Sequence, residues 1–159
     1  MTTGNLGLGF TERPTVQTFL PDPDFHKSAA SLDRQRLGKQ RVEVLQLLQV
    51  EDLRTRGQKG GWLNHPAAKM WRGYGHALSR YGLSCCQEWL RRGYKDTCTQ
   101  KIADLSMGLP YTDRGDPPWL GSIEFHASHK SNLVRKAPEH YGKLWPETPR
   151  DLPYVWPDV

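Results

Sequence analysis

The sequence predicts a mainly α, compact single-domain helical fold, and three observations carry that prediction. Apolar side chains recur at helical spacing over long stretches, β-branched alternation is nearly absent, and Gly- and Pro-rich loops separate the periodic stretches. The length agrees, because 159 residues supply one core with ragged ends rather than two full domains.

Residues 1–15 carry Gly4, Gly7, Gly9 and Pro14 with little periodicity, so they read as an extended, flexible N-terminal leader before a helical domain over 16–159. Asp24 can cap a helix that runs through Ala29, Ala30 and Leu32 to about Leu53, interrupted at some cost by Gly38. On that helix Leu37, Val44, Leu45 and Leu48 share an arc with Arg34 and Arg41, so these two cations are expected to face inward and Arg36 and Lys39 outward. Residues 54–61 bring three glycines and a loop.

A second long helix is bracketed by Asn64 as cap, Pro66 in the first turn and Gly93 after the last. Its stripe of Ala67, Met70, Trp71, Tyr74, Ala77, Leu78, Tyr81, Cys85 and Trp89 lies within about 140° at helical spacing and reads as core rather than as a platform for stacked bases. A short helix follows over 97–107, then a loop over 108–118. A last helix over 119–136 is closed by Ala137-Pro138, because proline disfavours helix in the residue before it. The tail from Leu144, with Pro146, Pro149, Pro153, Pro157, Trp145 and Trp156, is expected to wrap the helices as extended chain.

Hydrophobic residues make up 36% and charged residues 25% of the chain, and the mean hydropathy is −0.71, values of a polar globular protein. No apolar run approaches the ~20 residues that span a bilayer, and no secretory pattern opens the sequence. Cys85, Cys86 and Cys98 cannot form a paired disulfide framework and suit a reducing compartment, so a monomer in the cytoplasm, associated with the nucleoid, is expected.

A formal charge of +5 and a pI of about 9.2 favour a polyanionic partner. Five cations (Lys27, Arg34, Arg36, Lys39 and Arg41) face a single acid, Asp33, between residues 27 and 41; Lys130, Arg135 and Lys136 cluster without an acid between 126 and 136. Phosphate-cradling glycine loops, HExxH and paired CxxC motifs are absent, and no cofactor or metal is expected. His126 and His129 stand one helical turn apart. They can be metal ligands, partly buried hydrogen bonders or phosphate donors, and the surrounding Ser128, Lys130, Ser131, Asn132, Arg135, Lys136 and Tyr141 favour phosphate.

At these residues the sequence resembles the pyrimidine-dimer DNA glycosylases of the phage endonuclease V type and their bacterial relatives, in order from about Gln17 to Trp145. The likeness is strongest in Cys86-Gln87-Glu88-Trp89-Leu90-Arg91-Arg92-Gly93-Tyr94 with Lys95-Asp96-Thr97, and in Ser131-Asn132-Leu133-Val134-Arg135-Lys136-Ala137-Pro138 leading to Tyr141-Gly142-Lys143. The resemblance implies a helical fold that grips and kinks duplex DNA and displaces a base. It also implies attack on the sugar C1′ by the α-amine of a threonine exposed when the initiator Met is lost, then a Schiff base and β-elimination. An α-amine suits that task because its pKa of about 7.7 to 8.0 leaves much of it neutral at cellular pH.

Met1-Thr2 fits that processing, although Thr2 stands some fifteen residues ahead of Gln17. The family motif of arginine, glutamate, leucine, proline and arginine falls on Gln35-Arg36-Leu37-Gly38-Lys39, which puts Arg36 where the glutamate belongs. Asp33 or Glu43 is therefore the candidate carboxylate and Thr2 or Lys39 the candidate amine. Arg34, Arg41, His126, His129, Lys130, Asn132, Arg135, Lys136 and Tyr141 are the candidate contacts to double-stranded DNA carrying a damaged or modified pyrimidine. The expected activity is a DNA repair glycosylase with AP-lyase action. The alternatives are a DNA-binding protein that has lost catalysis and a different nucleic-acid or nucleotide enzyme built on the same pocket.

Overall fold

A computed structural model describes residues 16–111 and 115–157. Thr2 and the expected leader lie outside the described residues. Seven α-helices are described: α1 (Phe25–Ser31), α2 (Arg34–Thr55), α3 (Pro66–Met70), α4 (Gly75–Arg91), α5 (Thr99–Met107), α6 (Ile123–Lys136) and α7 (Pro138–Leu144), with a short 3₁₀ turn at Gly61–Asn64. There is no strand among the described residues, and no helix among them is long and apolar enough to cross a membrane.

The helix expected from Asp24 to Leu53 is two helices. Asp24 caps α1 as expected, its carboxylate accepting from the N–H groups of His26 (2.9 Å) and Lys27 (3.1 Å). Leu32 and Asp33 are then extended, and the Asp33 carboxylate accepts from the Arg36 N–H at 3.4 Å, which gives α2 a cap of its own. Arg92 locks the break by donating to the Leu32 carbonyl (2.8 Å), and Glu88 in turn holds Arg92 at 2.8 Å. Gly38 does not interrupt α2. A Cβ there would meet the Trp89 ring at 3.0 Å, so the missing side chain is what lets the indole lie on the helix.

The second long helix is also divided, into α3 and α4. His65 rather than Asn64 caps α3, its Nδ1 accepting from the Ala67 N–H at 3.1 Å. After Trp71 the chain turns through Gly73, whose φ of +80° is costly for any other residue, and the buried Glu51 carboxylate accepts the Gly73 N–H at 2.9 Å. The aromatic stripe survives the break as core: Met70, Trp71, Tyr74, Leu78, Tyr81 and Cys85 are buried, and Trp89 packs at the margin. The axes of α2 and α4 come so close that a Cβ on Gly82 would lie 2.5 Å from Val44 Cγ1.

The last expected helix starts at Ile123 instead of Trp119, because Gly121 (φ +97°) turns the chain and Ser122 caps α6. Beyond Ala137, Pro138 opens α7, where its missing N–H costs nothing. The tail runs extended along α6, with the Leu152 and Val155 N–H groups donating to Ser131 Oγ (3.0 Å) and Ser128 Oγ (3.1 Å).

The centre of the fold is a feature the sequence does not advertise. Residues 16–20 run extended through the core, with Val16, Thr18, Phe19 and Leu20 buried and no neighbouring strand among the described residues to pair with. Buried main-chain groups need partners, and helix side chains supply them. Gln40 donates to the Gln17 carbonyl (2.8 Å) and accepts from the Phe19 N–H (2.9 Å). Tyr154 donates to the Thr18 carbonyl (2.6 Å), and the Tyr81 hydroxyl stands 2.7 Å from the Phe19 carbonyl. His129 Nδ1 accepts from the Leu20 N–H at 2.9 Å, and His126 Nδ1 donates to the Leu20 carbonyl at 2.7 Å.

Candidate active site

Because that segment lies against α2, the two enclose a cavity of about 130 Å³ lined by Gln17, Phe19, Gln35, Arg36, Lys39, Gln40 and Glu43, with Lys136 reaching in from the end of α6. Two distant stretches of sequence thus build one charged hollow, and they bring together three expected site residues: Lys39, Glu43 and Lys136.

The inward face of α2 is rotated from the one its leucines suggest. Gln40, Glu43, Val44, Leu47 and Glu51 are buried along with Leu37 and Leu48. At about 100° per residue the buried arc is centred near Gln40 and Leu47, with Arg36 and Lys39 on one margin and Arg34 and Arg41 on the other. Arg36 and Lys39, not Arg34 and Arg41, therefore line the cavity, although Lys39 is exposed and Arg41 is largely buried, as expected. Arg34 is exposed, its guanidinium 6.0 Å from the Tyr94 ring. Arg41 pairs with Asp96 and lies 4.3 Å over the Trp89 ring. Polar residues at buried positions of α2 hid the true arc from hydrophobicity alone.

Glu43 is 6% exposed, and its carboxyl receives a hydrogen bond from Gln40 Nε2 at 3.0 Å. Burial raises its pKa to about 7, against the pull of the Lys39 charge, the Gln17 main chain and the Gln40 amide. A carboxyl so poised can hold or release a proton near neutrality. It sits two helical turns beyond Arg36 on the same face, and both side chains line the cavity.

Asp33, the other candidate carboxylate, is engaged elsewhere. Burial alone would raise its pKa, but the hydroxyl of Tyr141 and the nearby Arg36 more than offset that and hold the carboxyl below its ordinary value. Tyr141 donates to Asp33 Oδ1 and accepts from the Asp33 N–H at 2.9 Å, while Arg36 Nη1 reaches the carboxylate at 3.3 Å. The Asp33–Tyr141 pair therefore ties α7 to the start of α2 and steadies Arg36 at the cavity.

Of the roles open to the histidines, that of buried hydrogen bonders fits the structure, and the phosphate contact does not. His126 and His129 are both buried and both bind the Leu20 main chain; His126 Nε2 also accepts from the Gly121 N–H at 2.9 Å, while His129 Nε2 has no partner among the described residues. Burial depresses the pKa of each, that of His129 well below its ordinary value, and so favours the neutral ring in both. The remaining candidates divide. Arg135 donates to the carbonyls of Arg150 (2.9 Å) and Leu152 (2.7 Å) and so secures the tail. Lys130 Nζ stands 5.6 Å from the Trp145 ring. Asn132 has a buried Oδ1 without a partner among the described residues. Sequence reasoning missed Gln17, Gln35 and Gln40, and placed Arg36 outside the site; hydrophobic periodicity carries no signal for them.

Among the described residues no group of three or more His, Cys, Asp or Glu is placed to hold a metal ion. No curated protein and no solved structure matches the chain. Residues 16–102, more than half of the sequence, match a family model described as pyrimidine dimer DNA glycosylase.

Proposed function

Because the chain belongs to the pyrimidine dimer DNA glycosylase family, we propose that it excises a damaged or modified pyrimidine from duplex DNA, with the cavity between the 16–20 segment and α2 as its reaction site. The observation that carries this reading is the composition of that cavity: one buried carboxyl, Glu43, among Arg36, Lys39 and Lys136. Three cations against one carboxyl attract a phosphate-flanked sugar, and the carboxyl faces the positive charge that develops on C1′ as the glycosidic bond stretches.

In this reading Glu43 has two tasks, which a pKa of about 7 reconciles. Protonated, it supplies the departing base with its proton; ionised, it stabilises the sugar cation and can remove the C2′ proton in a following β-elimination. Arg36 and Lys39 hold the phosphates beside the displaced nucleotide. The AP-lyase step needs an amine at the same cavity, and the lysines there are its candidates among the described residues.

The reading is tested with duplex DNA carrying a single cyclobutane pyrimidine dimer, following glycosidic cleavage and borohydride-trapped adducts with the intact chain and with Glu43→Gln. Cleavage by the intact chain that falls by about 100-fold or more in the variant supports it. Binding without cleavage identifies a DNA-binding protein that has lost catalysis, and undiminished cleavage by Glu43→Gln removes Glu43 from the reaction.

A further inference from the structure

Resting on duplex DNA as the substrate of the reaction cavity, we propose that a second hollow, at the far end of α2, binds the phosphate backbone of that duplex about 8 base pairs from the damaged nucleotide. This hollow measures about 750 Å³ and lies between the last turn of α2 and the 3₁₀ turn, with Arg54, Lys59, Gly60, Gly61, Asn64 and Arg72 on its walls. No Asp or Glu lines it among the described residues.

Two of its three cations are fixed in place. The buried Glu51 carboxylate accepts from Arg54 Nε at 2.9 Å and Nη2 at 2.7 Å, and Arg72 Nη2 donates to the Leu63 carbonyl at 2.7 Å. Even with Glu51 set against Arg54, the charges of Arg72 and Lys59 remain on the walls. Oriented guanidiniums beside an exposed ammonium and the exposed Asn64 amide are donors suited to phosphate oxygens. No aromatic side chain is on these walls, so the hollow gives a base nothing to stack on and takes the backbone instead.

The two hollows open on one side of the molecule. Arg54 follows Arg36 by eighteen residues within the unbroken α2, which at about 100° per residue is five full turns, so the two project in the same direction about 27 Å apart. Arg36 lines the reaction cavity and Arg54 the second hollow. A chain of rings joins them independently of α2. Phe19, on the wall of the reaction cavity, meets Tyr154, Tyr154 meets Trp156, Trp156 meets His65, and His65 stacks on Trp62 beside Gly61, with centroids 4.4–6.4 Å apart at each step. Duplex DNA rises about 3.4 Å per base pair, so a duplex lying along this face brings flanking phosphates to Lys59 while the damaged nucleotide is at Glu43.

The experiment uses the full chain and two GC-rich duplexes with a central cyclobutane dimer, flanked on either side by about 5 or about 13 base pairs, so that only the longer reaches the second hollow. Affinity is measured for the intact chain, Lys59→Ala and Gly60→Asp. Lys59 is exposed, and Gly60 has an extended φ of −166° with nothing within 4 Å of an added Cβ, so neither change strains the fold. The intact chain should bind the longer duplex about 10-fold or more tightly than the shorter, and each variant should cut that gain to less than about threefold. Lys59→Ala should also lower the salt slope on the longer duplex by about 1. Equal affinity of the intact chain for both duplexes overturns the site, as does a gain retained by either variant. Inorganic phosphate that shifts the Asn64 side-chain amide signals without any length gain identifies a free-anion site and overturns it too. If the dimer is cleaved while the gain is missing, the second hollow falls and the proposed function stands; if neither duplex is bound or cleaved, both fall.

Discussion

Gln40 Nε2 donates to Glu43 Oε2 at 3.0 Å while the same amide spans the main chain of Gln17 and Phe19. One buried side chain thus holds the core segment in place and aims the carboxyl that faces the cavity. Replacing it strikes both roles at once. Gln40→Ala should lower stability by about 1–3 kcal/mol, because the Gln17 carbonyl and the Phe19 N–H lose their partner, and should also reduce cleavage. Thermal unfolding and a glycosylase assay on the surviving folded fraction measure the two effects.

Glu43 also imposes a pH dependence on stability. Its folded pKa, about 7, lies above its unfolded value, so the stability linked to its protonated form is complete in acid and disappears as the pH rises through about 7. Glu43→Gln removes that loss. The variant should match the intact chain near pH 4.5 and melt a few °C higher at pH 8, since roughly 1 kcal/mol corresponds to 2–4 °C at this size. Melting curves across that range check it, and a variant less stable at pH 8 would contradict the buried carboxyl.

His129 works in the opposite direction. Its folded pKa is depressed by burial, so it contributes stability above its ordinary value near 6.5 that falls away as the pH drops, when the unfolded chain takes up the proton. His129→Gln keeps an acceptor side chain and cannot titrate. It should flatten the decline in melting temperature between pH 7 and pH 5 while leaving DNA affinity unchanged. A large loss of affinity at constant stability would restore the phosphate role read from sequence.

DNA affinity should follow the cavity margin of α2. Arg36→Ala and Lys39→Ala should each weaken binding and reduce the slope of log affinity against log salt by about 1 for each phosphate no longer neutralised. Arg34→Ala should do neither, because its side chain faces Tyr94. Arg41→Ala should instead cost about 1–3 kcal/mol of stability, leaving the part-buried Asp96 without its cation and Trp89 without its stacked guanidinium. Salt-dependent titrations with duplex DNA, paired with denaturant unfolding, distinguish these outcomes.

Gly82 tests the packing of α2 on α4. A methyl group there would stand 2.5 Å from Val44 Cγ1, so Gly82→Ala should destabilise the protein by about 1–3 kcal/mol despite its higher helix propensity. Pairing it with Val44→Ala should recover part of that loss, which a double-mutant cycle in urea would reveal.

Local signals decided the helical class, the aromatic core stripe and the Asp24 cap, because periodicity and capping act within a few residues. The breaks at Leu32–Asp33 and Trp71–Tyr74 were harder to read, since Asp33 serves as cap only when the chain is extended there, and that extension is held from a distance by Arg92 and Tyr141. Gly38 reads as a helix defect until Trp89 is seen to need its space.

By itself the sequence determined a basic, helical protein with its cations in two clusters and one aromatic stripe in the core. Which cations meet was settled only by tertiary structure. A helix wheel weighs hydrophobicity, whereas α2 turns Gln40, Glu43 and Glu51 inward to satisfy buried main-chain groups and to face a cavity. That demand comes from residues far away in the chain, so Glu43, Lys39 and Lys136 share one hollow for a reason that no local pattern records.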